Sequence, residues 1–397
     1  MKTTRLTPFI VTSFIVCAET AISFNSALLP NLKDEFAISN QLAQLTISGG
    51  LFSLGFSGMI YGGLTDSLGR RPILLFSIGI FSIMALLCCL APNIEIFMFA
   101  RFLQGIGSGA GWVIGNACIK DLYNGNKYIK IMNYIHAVAG IIPAVAPVIG
   151  SYLAVFIGWR NCFYGLFIFS GLSALFMYLF QAETLQKKKP IDPTQISKDY
   201  KTTFSNLKFL TYCFVKVITV MLLFCEVSNL SLIFINHLNV PAQFFGFYML
   251  PVFLIYAISS LLSGYLNNFF SVNTIISSGL FFITLSNIAV LICYAITPLS
   301  AAFIQSLKLF TYIGWGLIFG NATAKIVSSV PGKAGMTSSI MIALEMLFSS
   351  IGIYILSFFF NGTIIPLSIF MLIFSMLAYI IFYISMISKE NHVFLGR

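Results

Sequence analysis

Charged side chains inside long apolar runs are the residues of this sequence best suited to chemistry. Glu19, Glu226 and Glu345 are carboxylates of this kind, and Lys308 is a cation. At a rise of about 1.5 Å per residue, each falls near the middle of its run. A charge at that depth costs roughly 2.5 to 3.5 kcal/mol and usually faces a cavity or a charged partner. We expect either proton exchange at a carboxylate that water can reach, or a structural ion pair of Lys308 with Glu226 or Glu345.

A fifth charge, Arg101, precedes a run of glycines. Glycines four residues apart, such as Gly105 and Gly109, form a groove in which a neighbouring helix can touch the backbone, and tight packing alone explains them. Arg101 lies roughly five residues, at about 1.5 Å each, from the start of its run. It is therefore either a functional buried cation or a side chain that extends to the membrane surface.

The densest patch of charge and turn-forming residues lies at positions 62–72, between two apolar runs. Asp66 provides a partner for the arginines, the glycines permit close packing or a sharp turn, and Pro72 can begin the next helix. This pattern predicts a helix–loop–helix hinge at a membrane surface. Its predicted functional members are Gly62, Asp66, Gly69, Arg70 and Arg71.

Another run contains two prolines four residues apart, Pro143 and Pro147. Each removes a backbone hydrogen bond and favours a kink, whereas Gly140 and Gly150 permit close contact with a neighbour. We expect a kinked, tightly packed helix.

The composition determines which elements must position these residues. With 58% hydrophobic residues, 9% charged residues and a mean hydropathy of +0.93, the chain differs from soluble domains, in which about 25% of residues are charged. A span needs about 20 apolar residues to cross a core of roughly 30 Å. Twelve spans are predicted, at 8–30, 42–64, 72–91, 96–117, 131–156, 162–181, 209–236, 244–266, 273–296, 298–324, 335–360 and 363–387.

The basic residues indicate the topology. The net charge of +10 comes mainly from loops on one side, whereas the opposite loops hold only Lys33 and Arg160. Because basic loops stay in the cytoplasm, both termini are predicted to be cytoplasmic, and the basic excess does not indicate nucleic-acid binding. A polar, Lys-rich segment at 182–208 divides the chain into a first bundle at 1–181 and a second bundle with a short tail at 209–397.

Several motifs resemble the major facilitator superfamily of transporters. The stretch from Gly62 to Arg71, G-x-x-x-D-x-x-G-R-R, is similar to the loop between its second and third spans, although Ser67 replaces the usual Arg or Lys. The motif R-x-x-Q-G-x-G that begins at Arg101 resembles its fourth-span motif. P-x-x-A-P-x-x-G-S, from Pro143 to Ser151, resembles the antiporter motif of the drug:proton exporters, especially the bicyclomycin-resistance (Bcr/CflA) branch. Shorter echoes are Gln44-Leu45-Thr46, Lys120-Asp121-Leu122-Tyr123, Gly158-Trp159-Arg160 and Glu183-Thr184-Leu185.

The resemblance implies an all-α membrane protein with twelve helices in two six-helix halves related by a pseudo-twofold axis. In that fold the first, fourth, seventh and tenth spans line a central cavity, which places Glu19, Glu226 and Lys308 there. The family associates the fourth-span arginine with proton coupling. Related exporters carry their first-span acid at the position of Ser23, one turn after Glu19. The family's hinge aspartate, matched by Asp66, holds the two halves together on the cytoplasmic side.

The function expected from this resemblance is secondary active transport, with efflux of an amphipathic small molecule in exchange for protons. Proton-coupled uptake or facilitated passage of a nutrient, amino acid or siderophore is the alternative. The sequence has no G-x-x-x-x-G-K-[ST] loop, so we expect the proton gradient to supply the energy, without a cofactor. The three histidines, at 136, 237 and 392, lie far apart, which disfavours an enzyme. The expected partners are substrate, protons and lipid, for a monomer in a bacterial inner membrane.

Overall fold

The computed structural model describes residues 4–123, 125–185, 193–330 and 334–394, and these residues form helices joined by short loops. The first half contains α1 (Thr7–Ala27), α2 (Leu29–Phe36), α3 (Asn40–Leu68), α4 (Arg70–Leu90), α5 (Ile94–Leu122), α6 (Gly125–Phe156) and α7 (Arg160–Phe180). The second half follows α8 (Pro193–Phe204) and contains α9 (Leu207–Leu232), α10 (Phe245–Leu266), α11 (Val272–Ile296), α12 (Ala301–Val327), α13 (Ala334–Phe359) and α14 (Ile365–Phe394). The all-helical prediction is confirmed.

The long helices match the predicted spans. Ten of them are long and apolar enough to cross a membrane. Two further helices, α3 and α5, have 29 residues each, which is ample length, but their many glycines and serines lower their hydropathy. Within the described residues, only α2 and α8 among the α-helices are too short to span a bilayer.

The two halves repeat one pattern of helix pairing. In the first half, α3 and α4 both pack on α5, α4 packs on α7, and α1 packs on α6. In the second half, α10 and α11 both pack on α12, α11 packs on α14, and α9 packs on α13. The pairs correspond when the spans are counted in order within each half. This repetition is the pseudo-twofold arrangement that the resemblance implied.

Glycines on α5 explain how closely the helices of the first half approach. A Cβ atom at Gly107 would lie 2.7 Å from the carbonyl oxygen of Ser77 on α4, and one at Gly109 would lie 2.8 Å from that of Leu54 on α3. Both positions therefore tolerate only hydrogen. The packing interpretation of this glycine run accounts for the geometry.

The halves meet along two symmetry-related pairs of helices, α3 with α13 and α6 with α10. A Cβ atom at Gly55 on α3 would lie 2.9 Å from the carbonyl oxygen of Ala343 on α13. At Gly246 on α10, a Cβ atom would collide with the backbone of Pro147 and Val148 on α6. The interface between the halves thus depends on close backbone approach at both pairs.

Hydrogen bonds between the halves lie toward one end of the bundle. We call the end at which α1 begins the proximal end and the opposite end the distal end. Gln44 Nε2 donates to Asn229 Oδ1 at 2.8 Å, and Ser231 Oγ donates to the carbonyl oxygen of Ser26 at 2.6 Å. Ser48 and Ser350 join α3 to α13 nearby.

The distal end also carries a short strap, α2. Its Glu35 accepts hydrogen bonds from the indole of Trp159 and the guanidinium of Arg160. Arg160 also donates to the carbonyl oxygen of Ala91 at 3.0 Å. Burial by itself would raise the pKa of Glu35, but the bonds from Trp159 and Arg160, with the charge of Arg160, hold that pKa below its usual value. The contacts fix α2 across the loops of the first half.

The predicted linker lies between α7, which ends at Phe180, and α9, which begins at Leu207. Helix α8 occupies its second part, and residues 186–192 lie outside the described residues. The boundaries at 181 and 208 stay a prediction.

Candidate substrate and proton-coupling site

Glu19 lies near the middle of α1 and is partly exposed. Its Oε1 accepts a hydrogen bond of 3.0 Å from the indole Nε1 of Trp112 on α5. Among the described residues, no Lys or Arg lies within ion-pair distance of this carboxylate. The indole thus holds the side chain in place, and no cation in the described part of the chain neutralises its charge.

Arg101 lies in the distal part of α5 with only 4% of its surface exposed. Its Nη1 donates to Oε1 of Gln104 one turn later, whereas its Nε is buried without a partner. It packs against Gly50 on α3, where a Cβ would lie at the ordinary contact distance of 3.6 Å from Nη2. The guanidinium therefore lies inside the helix packing and does not extend to the membrane surface. Its role in proton coupling stays a prediction.

Glu226 and Lys308 form an ion pair inside the second half. Lys308 Nζ on α12 lies 3.0 Å from Glu226 Oε2 on α9, and both side chains have 0% exposure. The same ammonium donates to Asn287 Oδ1 on α11 at 2.8 Å and contacts Met371 Sδ on α14 at 3.2 Å. The geometry matches the ion-pair alternative with Glu226, and four helices contribute to it. The cavity role of these two residues stays a prediction.

Glu345 on α13 has a different neighbour, Lys216 on α9. The two side chains, each 7% exposed, interact electrostatically without reaching ion-pair distance. Lys216 Nζ lies 3.9 Å from the centroid of the Phe319 ring on α12, a cation–π geometry. Oε1 of Glu345 is buried without a hydrogen-bond partner. The charges of Glu345 and Lys216 are thus close enough to influence each other, but the two groups do not form a direct ion pair.

Tyr256 on α10 lies near acids of both halves. It lies within the electrostatic range of both Glu345 and Glu19, and its ring packs against that of Phe319 with centroids 5.8 Å apart. We call Glu19, Lys216, Tyr256, Phe319 and Glu345 the central cluster. It offers two carboxylates, an amine and aromatic surface where the halves face each other, a combination suited to an amphipathic organic ligand.

The hinge residues form a network at the proximal end. Arg70 Nη2 pairs with Asp66 Oδ1 at 2.7 Å, and its Nε pairs with Asp121 Oδ2 at 3.2 Å. Arg71 Nη2 donates to the carbonyl oxygen of Tyr178 on α7 at 2.9 Å. Gly62 lies in the last turns of α3. The network therefore joins α3, α4, α5 and α7 of one half.

Glu183, just after α7, caps the hinge. Its carboxylate accepts from the backbone N–H groups of Arg70 at 2.9 Å and Arg71 at 3.1 Å, at the positive N-terminal end of α4. Gly69 has φ of 111° and lies so close that a Cβ there would be 2.7 Å from Glu183 Oε2. Only glycine combines that backbone angle with that space.

The ion pair of Asp66 lies within its own half. Its side chain is 51% exposed, and within the part of the chain that the structure describes its one ion pair is with Arg70. The role of Asp66 as a latch between the halves stays a prediction. It concerns a state in which the proximal end is closed.

The antiporter-motif residues lie on α6, which continues as a helix through Pro143 and Pro147. The backbone at Pro147 meets Gly246 of α10. A Cβ at Gly150 would lie 3.0 Å from the Phe24 ring on α1. The motif thus packs α6 simultaneously against α1 and against the second half.

Of the five charged residues predicted to be functional, Glu19 and Glu345 belong to the central cluster, whereas Glu226 and Lys308 form a separate ion pair. Sequence reasoning assigned no role to Lys216 and Tyr256, which belong to the central cluster, or to Trp112, which donates to Glu19. Asp121 and Glu183 were noticed only as parts of short motifs. Their signal was their charge beside the ends of predicted spans.

The family model of the Major Facilitator Superfamily matches residues 9–353. An uncharacterized MFS-type transporter, YdgK, of Bacillus subtilis is 34% identical over 45% of this chain and 45% of its own length. A bicyclomycin resistance protein homolog of Haemophilus influenzae is 26% identical over 59% of this chain and 58% of its own. The chain thus aligns with about half the length of these two relatives.

A longer match is the multidrug resistance protein MdtL of Shewanella sp., 25% identical over 80% of this chain and 82% of the relative. Among solved structures, the xylose transporter XylE from E. coli has a TM-score of 0.75 at 13% identity, covering 96% of this chain and 97% of its own. That likeness confirms the fold. The relatives confirm the resemblance to the bicyclomycin-resistance branch, and the extent of the family match shows that this chain belongs to the Major Facilitator Superfamily.

Proposed function

We propose that this protein is a secondary active transporter that exports an amphipathic organic compound in exchange for protons. The observation that carries the proposal is Glu19, a partly exposed carboxylate in the middle of α1 that is held by Trp112 and has no basic partner among the described residues. Export is favoured because relatives are named for multidrug and bicyclomycin resistance. No enzymatic step and no cofactor enter this proposal.

Alternating access follows from how the halves are joined. Hydrogen bonds such as Gln44 to Asn229 hold them at the distal end, and the ion pair of Asp66 at the proximal end is with Arg70 of its own half. The basic loops support a cytoplasmic proximal end, with both termini there, in a bacterial inner membrane. In this conformation the substrate enters from the cytoplasm.

Substrate and proton then act at one place. An amphipathic compound contacts Tyr256 and Phe319 by its apolar part and the acids by its polar part. Water that reaches Glu19 after the halves rotate delivers a proton, and neutralising this carboxylate weakens its hold on a polar substrate. We propose that a monomer performs this cycle, since each half supplies groups to the cluster.

The test uses everted membrane vesicles that contain the full chain and a panel of amphipathic compounds. Compounds that dissipate an imposed proton gradient, and accumulate in the vesicles, are exported substrates. We expect Glu19→Gln to abolish both readings while leaving expression and folding intact, because an amide cannot carry a proton. Glu95→Gln, an exposed acid at the start of α5, is the matched control.

Two outcomes contradict the proposal. Transport by Glu19→Gln against a gradient at the wild-type rate removes Glu19 from proton coupling. Accumulation only in right-side-out vesicles would show uptake instead of export.

A further inference from the structure

A groove of about 510 Å³ lies on the outer surface of the first half, between α1, α6 and α7. Helices α6 and α7 each pack on α1 and contact each other little, so the space between them stays open. Its lining includes Phe9, Val16, Tyr134, Leu172 and Leu179. Glu19, the member of the central cluster on α1, is not among the residues that line this groove.

The hydroxyl groups of Thr12, Ser13 and Ser173, which line the groove on α1 and α7, are already hydrogen-bonded. Thr12 Oγ1 donates to the carbonyl oxygen of Pro8 at 2.7 Å, and Ser13 Oγ donates to that of Ile10 at 2.8 Å. Ser173 Oγ accepts from the thiol of Cys17 at 3.9 Å. The groove therefore presents hydrocarbon to its occupant, which disfavours a ligand with buried polar groups.

The depth of the groove matches one leaflet. Its lining on α1 extends from Phe9 to Val16, about 10 Å at the helical rise, and on α7 from Phe169 to Leu179, about 15 Å. Half of a hydrocarbon core of roughly 30 Å is of the same length. The lined part of α1 belongs to its proximal half, so the groove faces the leaflet at the proximal end.

Basic residues stand beyond the proximal end of the groove. Arg5 is exposed and precedes Phe9 by one helical turn, and Lys127 is exposed two turns before Tyr134. Residues at these spacings share a helix face. Tyr134 is exposed between Lys127 and the apolar part of α6, as aromatic residues at the headgroup level of a bilayer are.

We propose that this groove binds one acyl chain of an anionic phospholipid from the leaflet at the proximal end, with its phosphate near Arg5 and Lys127. The hydrocarbon lining selects the chain, and the two cations select the charge of the headgroup. The lipid fills the wedge that α6 and α7 leave beside α1.

The experiment reconstitutes the full chain in nanodiscs containing phosphatidylglycerol with a photoreactive diazirine in its acyl chain, and maps labelled peptides by mass spectrometry. We expect label concentrated on residues 9–16 and 169–179. Ser13→Trp fills the groove and should lower that label about tenfold, with Val16→Phe as a second variant if the first folds poorly. Leu261→Trp, on an exposed face of α10, is the matched control.

The headgroup is tested by competition with unlabelled lipid. Because each basic residue near an anionic lipid favours binding roughly fivefold, Arg5→Gln and Lys127→Gln should each lower the preference for phosphatidylglycerol over phosphatidylcholine by that factor. Label spread evenly over all lipid-facing helices, or equal competition by both lipids in the wild type, overturns the proposal. Loss of transport in Ser13→Trp with unchanged lipid labelling would assign the groove to the transported compound and also overturn it.

Discussion

Removing Lys308 should destabilise the second half more than any other single loss of charge. The ammonium lies 3.0 Å from the Glu226 carboxylate, and neither side chain has any exposed surface. Lys308→Ala leaves that carboxylate buried without its cation and leaves Asn287 Oδ1 without its donor. At an effective dielectric constant of about 20, unit charges at this distance interact by about 5 kcal/mol. Measured losses on breaking buried pairs are about 3 to 5 kcal/mol.

Neutralising Glu226 as well as Lys308 should restore most of the lost stability. In the double variant Lys308→Met with Glu226→Gln, no charge remains buried, so the desolvation cost disappears along with the attraction. We expect the double variant to recover most of the wild-type stability, while each single variant remains unstable.

The measurement is unfolding in mixed micelles at increasing denaturing detergent, read by circular dichroism for all four members of the cycle. Lys208→Ala, an exposed lysine at the start of α9, is the control and should change stability by less than about 0.5 kcal/mol. Equal instability of the single and double variants would show that the 3.0 Å contact carries no coupling, and the reasoning from burial would be refuted.

Three further predictions concern the two ends of the bundle. Asp66→Ala should favour the proximally open state and slow turnover with little effect on substrate affinity; spin labels at the proximal ends of α3 and α13 report it, and an unchanged distance distribution with normal turnover would remove Asp66 from the mechanism. Glu183→Gln should weaken the hinge by about 1 to 3 kcal/mol, because two backbone N–H groups of α4 lose a charged acceptor; protease resistance of the segment 66–72 measures it, and unchanged resistance would contradict it. Because the pKa of Glu35 is lower in the folded protein than its usual value, its contribution is present above an unfolded-state pKa of about 4.3 and is lost as pH falls through the folded-state pKa. Fluorescence of Trp159 should therefore change on acidification in the wild type and not in Glu35→Gln; the same change in both would exclude Glu35.

The sequence predicts the spans well because a helix in lipid must be long and apolar, a requirement that each segment meets locally. The partner of Lys308 depends on packing instead. Counted at about 1.5 Å per residue from the proximal ends of their helices, Glu226 and Lys308 lie at nearly the same depth, whereas Glu345 lies roughly 12 Å nearer the proximal end. The packing of α9 beside α12 then brings Glu226 and Lys308 into contact. The cation–π contact of Lys216 with Phe319 could not be predicted for the same reason, since it crosses between helices. A contact between elements leaves no periodicity in either one.

The hinge shows a similar limit. The residues at 62–72 predict a turn and a cluster of charge. The group that caps α4, however, is Glu183, more than a hundred positions later in the chain. Its identity follows from the position of α7 beside α4, which no local pattern contains.

The glycines at the interface between the halves have a mechanical consequence. Gly55 on α3 and Gly246 on α10 occupy equivalent helices of the two halves, and each brings its helix against the backbone of the other half. Because a glycine has no side chain, no interlocking side chains need to separate at these two points when the halves move. The halves can therefore tilt about them without a change of rotamer there. The barrier to tilting then arises at the distal end of the bundle, where hydrogen bonds such as Gln44 to Asn229 must break. We therefore expect polar contacts far from Gly55 and Gly246 to set the rate at which the halves change conformation. Substitutions at those contacts can change that rate without disturbing the binding site.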